Sequence, residues 1–219
     1  MRLRVFSAFF ALMLLCTLSA DAQNSPEPVP GVHIPSGSTP WAVDVYEGKQ
    51  EIVPIHSTSI QLNNHRGANV AGSLAGSFFY KPKMTEEVSG THARISLHTE
   101  KPVFYIYLPS DPKRDSSSDI FASWALSRAT IKKDHRVFAQ VRFTQLTGNA
   151  KRNDSEVDVS TEMLPDGWVR ITPKAPLTPG EYALQPISKT QNVFSTVVFD
   201  FSIDPKAPNS AEAVSAHGS

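Results

Sequence analysis

Between residues 41 and 204 the apolar side chains recur every second position, the spacing that a half-buried strand produces. Trp41, Val43 and Val45 alternate with Ala42, Asp44 and Tyr46, and Gly48 ends that run. Glu51 to Ile55 and Thr58 to Leu62 are short strand candidates, the first confined by Pro54 to an edge or a bend. Asn63 to Gly76 reads as a loop, and Leu74 to Tyr80 as a strand after it. Ala93, Ile95 and Leu97 alternate with Arg94, Ser96 and His98, and Val103 to Leu108 is apolar on both faces, as a central strand should be. Ile120 to Phe143 reads as a hairpin turning at 131–135, with Val137, Ala139, Val141 and Phe143 on its second arm. Val157, Val159, Thr161 and Met163 alternate again, and Pro165-Asp166-Gly167 signals a tight turn into Trp168 to Thr172.

No three-four spacing is sustained, and strands do not alternate with helices, which argues against a parallel α/β sheet. The pattern predicts an all-β protein, an antiparallel β-sandwich of ten to twelve short strands. Residues 23–40 carry five prolines and little apolar mass, so they read as a linker, and residues 205–219 read as a disordered tail. The body at 41–204 fits a single domain.

Charge and cysteine narrow the setting. Arg2 and Arg4 precede a 16-residue apolar run, Val5 to Ala20, and Ala20-Asp21-Ala22 has the small-x-small form of a cleavage site. The run is shorter than the ~20 residues a helix needs to cross a bilayer, so residues 1–22 are expected to be a cleaved export signal. The protein is then periplasmic or extracellular, with no membrane span after signal removal. The segment carries two arginines and one aspartate, leaving 19 basic against 20 acidic side chains. Such a balance offers nothing for nucleic acid or an anionic membrane surface to read. Cys16, the only cysteine, leaves with the signal, which removes disulfides, thiolate metal sites and cysteine nucleophiles from consideration.

The most informative stretch is Gly167 to Asp204. Pro173, Pro176 and Pro179 remove three backbone donors, so this run cannot lie inside a sheet and is expected to carry the chain from one sheet to another. Gly180 permits backbone angles closed to other residues, and Tyr182 and Leu184 then share a core-facing side. Leu177-x-Pro179-Gly180-x-Tyr182 resembles the tyrosine corner of immunoglobulin-like and fibronectin-type sandwiches. The resemblance implies that the Tyr182 hydroxyl bonds backbone a few residues upstream. It puts Trp168–Thr172 in the place of strand E, Gly180–Pro186 in that of F and Phe194–Ile203 in that of G. The longer run through FDFSID is similar to uncharacterised exported bacterial proteins, a likeness that carries no known activity.

Motifs for chemistry are sparse. Gly72-Ser73-Leu74-Ala75-Gly76 has the glycines of a nucleophile elbow with leucine at the nucleophile position. Asp111, Asp115 and Asp119 sit in a serine-rich loop and read as solvated rather than as hard-cation ligands. His33, His56, His65, His92, His98, His135 and His217 form no H-x-H or H-E-x-x-H pattern, and read as scattered surface residues. Carboxylate pairs are available at Glu86/Glu87, Glu156/Asp158 and Asp200/Asp204, each read as a solvated strand face. Phe104, Tyr105, Tyr107, Trp124 and Trp168 would make a sugar-stacking platform only if exposed, and aromatics in such strands belong to the core. No catalytic, cofactor or metal residue is therefore assigned, and Leu177, Pro179, Gly180 and Tyr182 are assigned a structural role. The reading is a non-catalytic exported binding or structural module for an extracytoplasmic protein or glycan, without a cofactor. The alternatives are a hydrolase or carbohydrate-acting enzyme with a site assembled from distant residues, and a subunit of an extracytoplasmic assembly.

Overall fold

A computed structural model describes residues 28, 32–65, 68, 71, 82–108, 124–143, 150–186 and 196–216. In chain order its strands are β1 (Trp41–Tyr46), β2 (Lys49–Pro54), β3 (Ser57–Ser59), β4 (Gln61–Asn63), β5 (Lys83–Ser89), β6 (Ser96–Leu97), β7 (Val103–Tyr107) and β8 (Trp124–Arg128). They continue with β9 (Thr130–Ile131), β10 (His135–Phe143), β11 (Ala150–Val157), β12 (Val159–Met163), β13 (Trp168–Pro173), β14 (Gly180–Pro186), β15 (Val197–Ile203) and β16 (Val214–Ser215). These 16 exceed the expected ten to twelve because several pairings, β6, β9 and β16 among them, are only two residues long. The protein is nearly all β, its sheets are antiparallel, and neither is a barrel. One sheet runs β12-β13-β7-β1-β2-β16 and the other β3-β15-β14-β8-β11-β10-β5-β4. Two short strands lie off that path: β9 beside β10, and β6 parallel to β15. No described helix is long and apolar enough to cross a membrane.

Turn chemistry sets the register of the first hairpin. Glu47 and Gly48 both have positive φ, 48° and 77°, the two-residue turn whose twist matches that of paired strands. That turn pairs Tyr46 with Lys49 and so brings Asp44 directly opposite Glu51. The phase of β1 differs from a simple polar-out alternation. Ala42 and Asp44 face inward while Val45 is 45% exposed, because the middle of β1 is buried on both faces.

The main core draws on both sheets. Ala42, Val53, Phe104 and Ile171 from the first meet Leu126, Tyr182, Leu184 and Phe201 from the second. A second cluster covers the other face of the first sheet, where Val43, Ile52, Tyr105 and Trp168 pack against Val32, Ile34 and Ala216. Two sequence expectations are corrected here. Val32 and Ile34, inside the segment read as a linker, are buried, because the second face of β1, β2 and β7 needs an apolar cover. Within the segment read as a disordered tail, residues 205–216 return to the body: β16 pairs with β2 and Ala216 is buried.

Other elements are placed differently from their first reading. The alternation from Val157 to Met163 is two strands, since the chain changes sheet at Asp158 while Val157 and Val159 both pack on the shared core. The hairpin expected over Ile120 to Phe143 narrows to β9–β10, and β8 instead lies between β14 and β11. Residues 174–179 do carry the chain from the first sheet, at β13, to the second, at β14. The expected strand at Leu74–Tyr80, the Gly72–Gly76 motif, Asp111, Asp115 and Asp119, and residues 1–22 lie outside the described residues.

At the start of β14, Tyr182 is buried, stacks on Phe201 with ring centroids 5.8 Å apart, and donates its hydroxyl to the Thr178 carbonyl at 2.7 Å. Leu177 is buried in the main core. Gly180 has φ 152°, a backbone angle that favours glycine, and a Cβ there would approach the Arg128 guanidinium to 3.1 Å and push it by a few tenths of an ångström. The same guanidinium donates to the Pro179 carbonyl at 3.1 Å and lies over the Tyr182 ring.

Candidate functional site: a basic cleft beside β5 and β10

Successive residues of a strand point to opposite faces, and in β5 that alternation separates two chemistries. Thr85 and Glu87 line a cleft of about 570 Å³ together with Lys83, whereas Glu86 and Val88 are buried on the opposite face. The expected Glu86/Glu87 pair is therefore split: Glu86 accepts a hydrogen bond from Gln185 at 3.2 Å, and Glu87 alone reaches the cleft. The other wall comes from β10 and the turn before it, which supply Lys132, Lys133, Asp134 and His135. Arg128 and His65 complete the charged lining.

Glu87 is the centre of a polar cluster. Thr85 Oγ1 donates to it, Asn63 Nδ2 donates to it at 3.3 Å, and ring nitrogens of His135 and His65 stand 3.7 Å and 3.9 Å away. His135 is turned by Asp134, whose carboxylate lies 2.7 Å from Nδ1. His65 Nε2 lies 2.8 Å from Thr85 Oγ1. Around this cluster stand Lys83, Arg128, Lys132 and Lys133, four cationic side chains against the two carboxylates of Glu87 and Asp134. On a chain whose formal net charge is zero, this is a local excess of positive charge. Arg128 ties the cleft to the Tyr182 corner, since it lines the one and hydrogen-bonds the other.

The remaining sequence candidates fall elsewhere. Asp200 is buried against Arg136, while Asp204 is exposed and accepts from the Lys206 amide at 2.9 Å. Glu156 and Asp158 are exposed, and Asp158 sits at the change of sheet, so they do not share one strand face. Phe104, Tyr105 and Trp168 are buried, Tyr107 packs on Trp168 with centroids 5.2 Å apart, and Trp124 packs on Phe199 at 5.7 Å. Burial raises the Tyr105 phenol above its ordinary value, with a hydrogen bond to Arg170 pulling the other way. These rings make core and cover, not a sugar-stacking platform. His92 is exposed on the edge of the Arg136 cluster, and His56 meets Glu212 at 2.6 Å.

His98 corrects the surface reading of the histidines. It is buried beside Asp44, with its ring tilted against Tyr46 at 4.6 Å. Neither the cleft nor this histidine carried a motif. The one available signal was the alternation of Lys83, Thr85 and Glu87, which places three polar residues on one face. Comparison with protein-family models, curated proteins and solved structures gives no match for this chain.

Proposed function

We propose that the protein is an exported, non-catalytic, immunoglobulin-like β-sandwich that binds an anionic glycan or other acidic extracytoplasmic ligand in the cleft beside β5 and β10. The observation that carries this reading is the gathering of Lys83, Arg128, Lys132 and Lys133 around one cleft on a chain with no net charge. A concave, charged surface attracts and orients ligands of opposite sign. The Tyr182 hydroxyl bonded to Thr178, and the change of sheet between β13 and β14, support reading Leu177–Tyr182 as a tyrosine corner. The core shared by the two sheets supports the sandwich.

The experiment is a calorimetric titration with a uronic-acid oligosaccharide and its neutral, reduced counterpart. Binding of the acidic form alone is expected, weakened roughly tenfold by the Lys132→Ala/Lys133→Ala double substitution and by added salt. Equal affinity for both sugars, binding indifferent to the substitutions, or no binding of either overturns the reading. Cell fractionation tests export separately: protein held in the cytoplasm with residues 1–22 intact contradicts it.

One contact favours a hydrolase as the second reading, the 2.8 Å approach of His65 Nε2 to Thr85 Oγ1. A hydroxyl beside an imidazole is how a nucleophile is activated. Here Thr85 is buried and its hydroxyl donates to Glu87, which fits a positioning role better than attack.

A further inference from the structure

Asp44, Glu51 and His98 are three titratable residues that the cleft does not use, and all three are buried. The hairpin turn sets the first two opposite each other on the inward face of β1 and β2. Like charges directly across an antiparallel pair repel. His98 approaches from the segment after β6, and residues 204–209 close over the group. One ligand atom from each residue lies within 4.8 Å of the other two.

The hydrogen bonds sort these atoms by role. The His98 amide donates to both Asp44 oxygens at 2.9 Å and the Thr99 amide to Oδ1 at 2.8 Å, which fixes the carboxylate. Glu51 Oε2 accepts from Asn209 Nδ2 at 3.0 Å, but Glu51 Oε1 is buried with no hydrogen-bond partner among the described residues. His98 Nε2 lies 3.1 Å from the Ala207 carbonyl and Nδ1 lies 2.7 Å from Asp44 Oδ2, and both of those oxygens accept, so each ring nitrogen has an acceptor facing it. A metal ion bound here takes the place of a proton between Nδ1 and Asp44 Oδ2, while Nε2 keeps its proton for the Ala207 carbonyl. The unpartnered Glu51 oxygen beside this His98–Asp44 contact makes an arrangement that a cation completes. A histidine whose other nitrogen donates to a backbone carbonyl is also the usual form of a metal-bound imidazole.

We propose that Asp44, Glu51 and His98 bind one divalent cation through Oδ2, Oε1 and Nδ1, and that this ion staples residues 204–216 to the β1–β2 hairpin. Two carboxylates, a neutral imidazole and a divalent ion sum to zero charge. One nitrogen and two oxygens suit borderline Zn²⁺, or Mn²⁺ with its preference for carboxylates, better than Ca²⁺ or Mg²⁺, which favour oxygen donors. Ligands at about 2.0–2.2 Å from a tetrahedral ion stand roughly 3.3–3.6 Å apart, so a pair as wide as 4.8 Å closes by about 1.2–1.5 Å and the Nδ1–Oδ2 pair at 2.7 Å opens by about 0.6–0.9 Å. The role is structural, since the group is buried and apart from the cleft. With Cys16 the chain's only cysteine, an ion supplies the kind of cross-link that a disulfide would give.

Because the site is covered, the untagged protein is unfolded and refolded with chelator, Zn²⁺ or Mn²⁺, then desalted. Metal content and melting temperature are measured. One ion per chain is expected with Zn²⁺ or Mn²⁺, together with a rise in melting temperature of roughly 5–10 °C over the chelated protein. Glu51→Gln keeps the shape and removes a ligand, and is expected to retain less than about one-tenth of an ion per chain. No retained metal in the wild type, or equal retention in the variant, overturns the proposal. X-ray absorption on the metal-loaded wild type decides the matter if the variant does not refold. A shell with one imidazole and carboxylate oxygens supports the site, and one with two or more imidazoles places the ion elsewhere and contradicts it.

Discussion

Two groups of buried charge in this protein are made from the same materials and finished differently. In one, Arg136 stands between Glu181 and Asp200, and in the other His98 stands beside Asp44 and Glu51. Counting charges does not separate them, since each has two carboxylates and one basic side chain. Counting partners does. Glu181 Oε2 accepts from the Ala93 amide at 2.7 Å and from Arg136 at 3.1 Å, and its Oε1 faces His92. Asp200 meets Arg136 through Oδ2 at 2.7 Å and Thr58 through Oδ1, and the Arg136 Nε donates to the Gly90 carbonyl. Every carboxylate oxygen of that cluster has a partner, so it is complete as it stands. The other cluster has one oxygen left over, on Glu51. Burying a charged group without a partner is costly, so this carboxylate oxygen, unlike the neutral Trp124 Nε1 and Ser127 Oγ that are also buried without a partner, marks a position for a ligand rather than a structural bond.

The sharpest way to break this comparison is to open the closed cluster. Arg136→Met leaves two buried carboxylates without their cation and is expected to cost about 3–5 kcal/mol in urea unfolding. A loss below about 1 kcal/mol would mean that the two clusters are not different in kind. Next comes the corner that holds β14 in place. Tyr182→Phe removes the donor to the part-buried Thr178 carbonyl and is expected to cost about 1 kcal/mol, and an unchanged denaturant midpoint would refute that role. The smallest effect belongs to the exposed edge of the C-terminal segment. Glu212 is held below its ordinary value of 4.5, first by its hydrogen bond to His56 and then by Arg94. A depressed carboxylate stabilises the fold above its unfolded value and loses that contribution as pH falls through the folded one. Glu212→Gln should therefore melt slightly below the wild type at neutral pH, the difference closing below pH 4.5. A difference that persists at low pH would show that packing, not charge, anchors the segment.

Much of the fold was legible because strands and turns are local. A run apolar on both faces placed β7, period-two alternation placed β10 and β12, and Asp166-Gly167, leading into β13, and Pro179-Gly180 marked real changes of direction. The three prolines of 173–179 were enough to foresee a change of sheet. The two sites were not legible, for a physical reason that particular residues make plain. Asp44 looked like the polar face of a half-buried strand, but β1 is covered on both faces, so polarity no longer reported direction. Glu51 and Asn209 meet across 158 positions of sequence, and Asp44 and His98 across 54, so no spacing rule could join them. The C-terminal segment reads as polar and proline-containing, and is nonetheless held by Glu212, Asn209 and the Ala207 carbonyl. Its order comes from partners elsewhere in the chain, which its own composition does not show. The cleft was half visible, in the alternation of β5, while its other wall comes from a turn whose approach depends on the β5–β10 register.

The most direct measurement is a paired melt of the wild type and Glu51→Gln, each refolded in chelator and with Zn²⁺. If Glu51 waits for a cation, the wild type gains melting temperature with metal and the variant does not. In chelator the variant then melts slightly above the wild type, by about 0.2–1 kcal/mol of relieved repulsion between facing carboxylates. A variant that melts lower in chelator, and gains as much from metal as the wild type does, would contradict the distinction between the open cluster and the closed one.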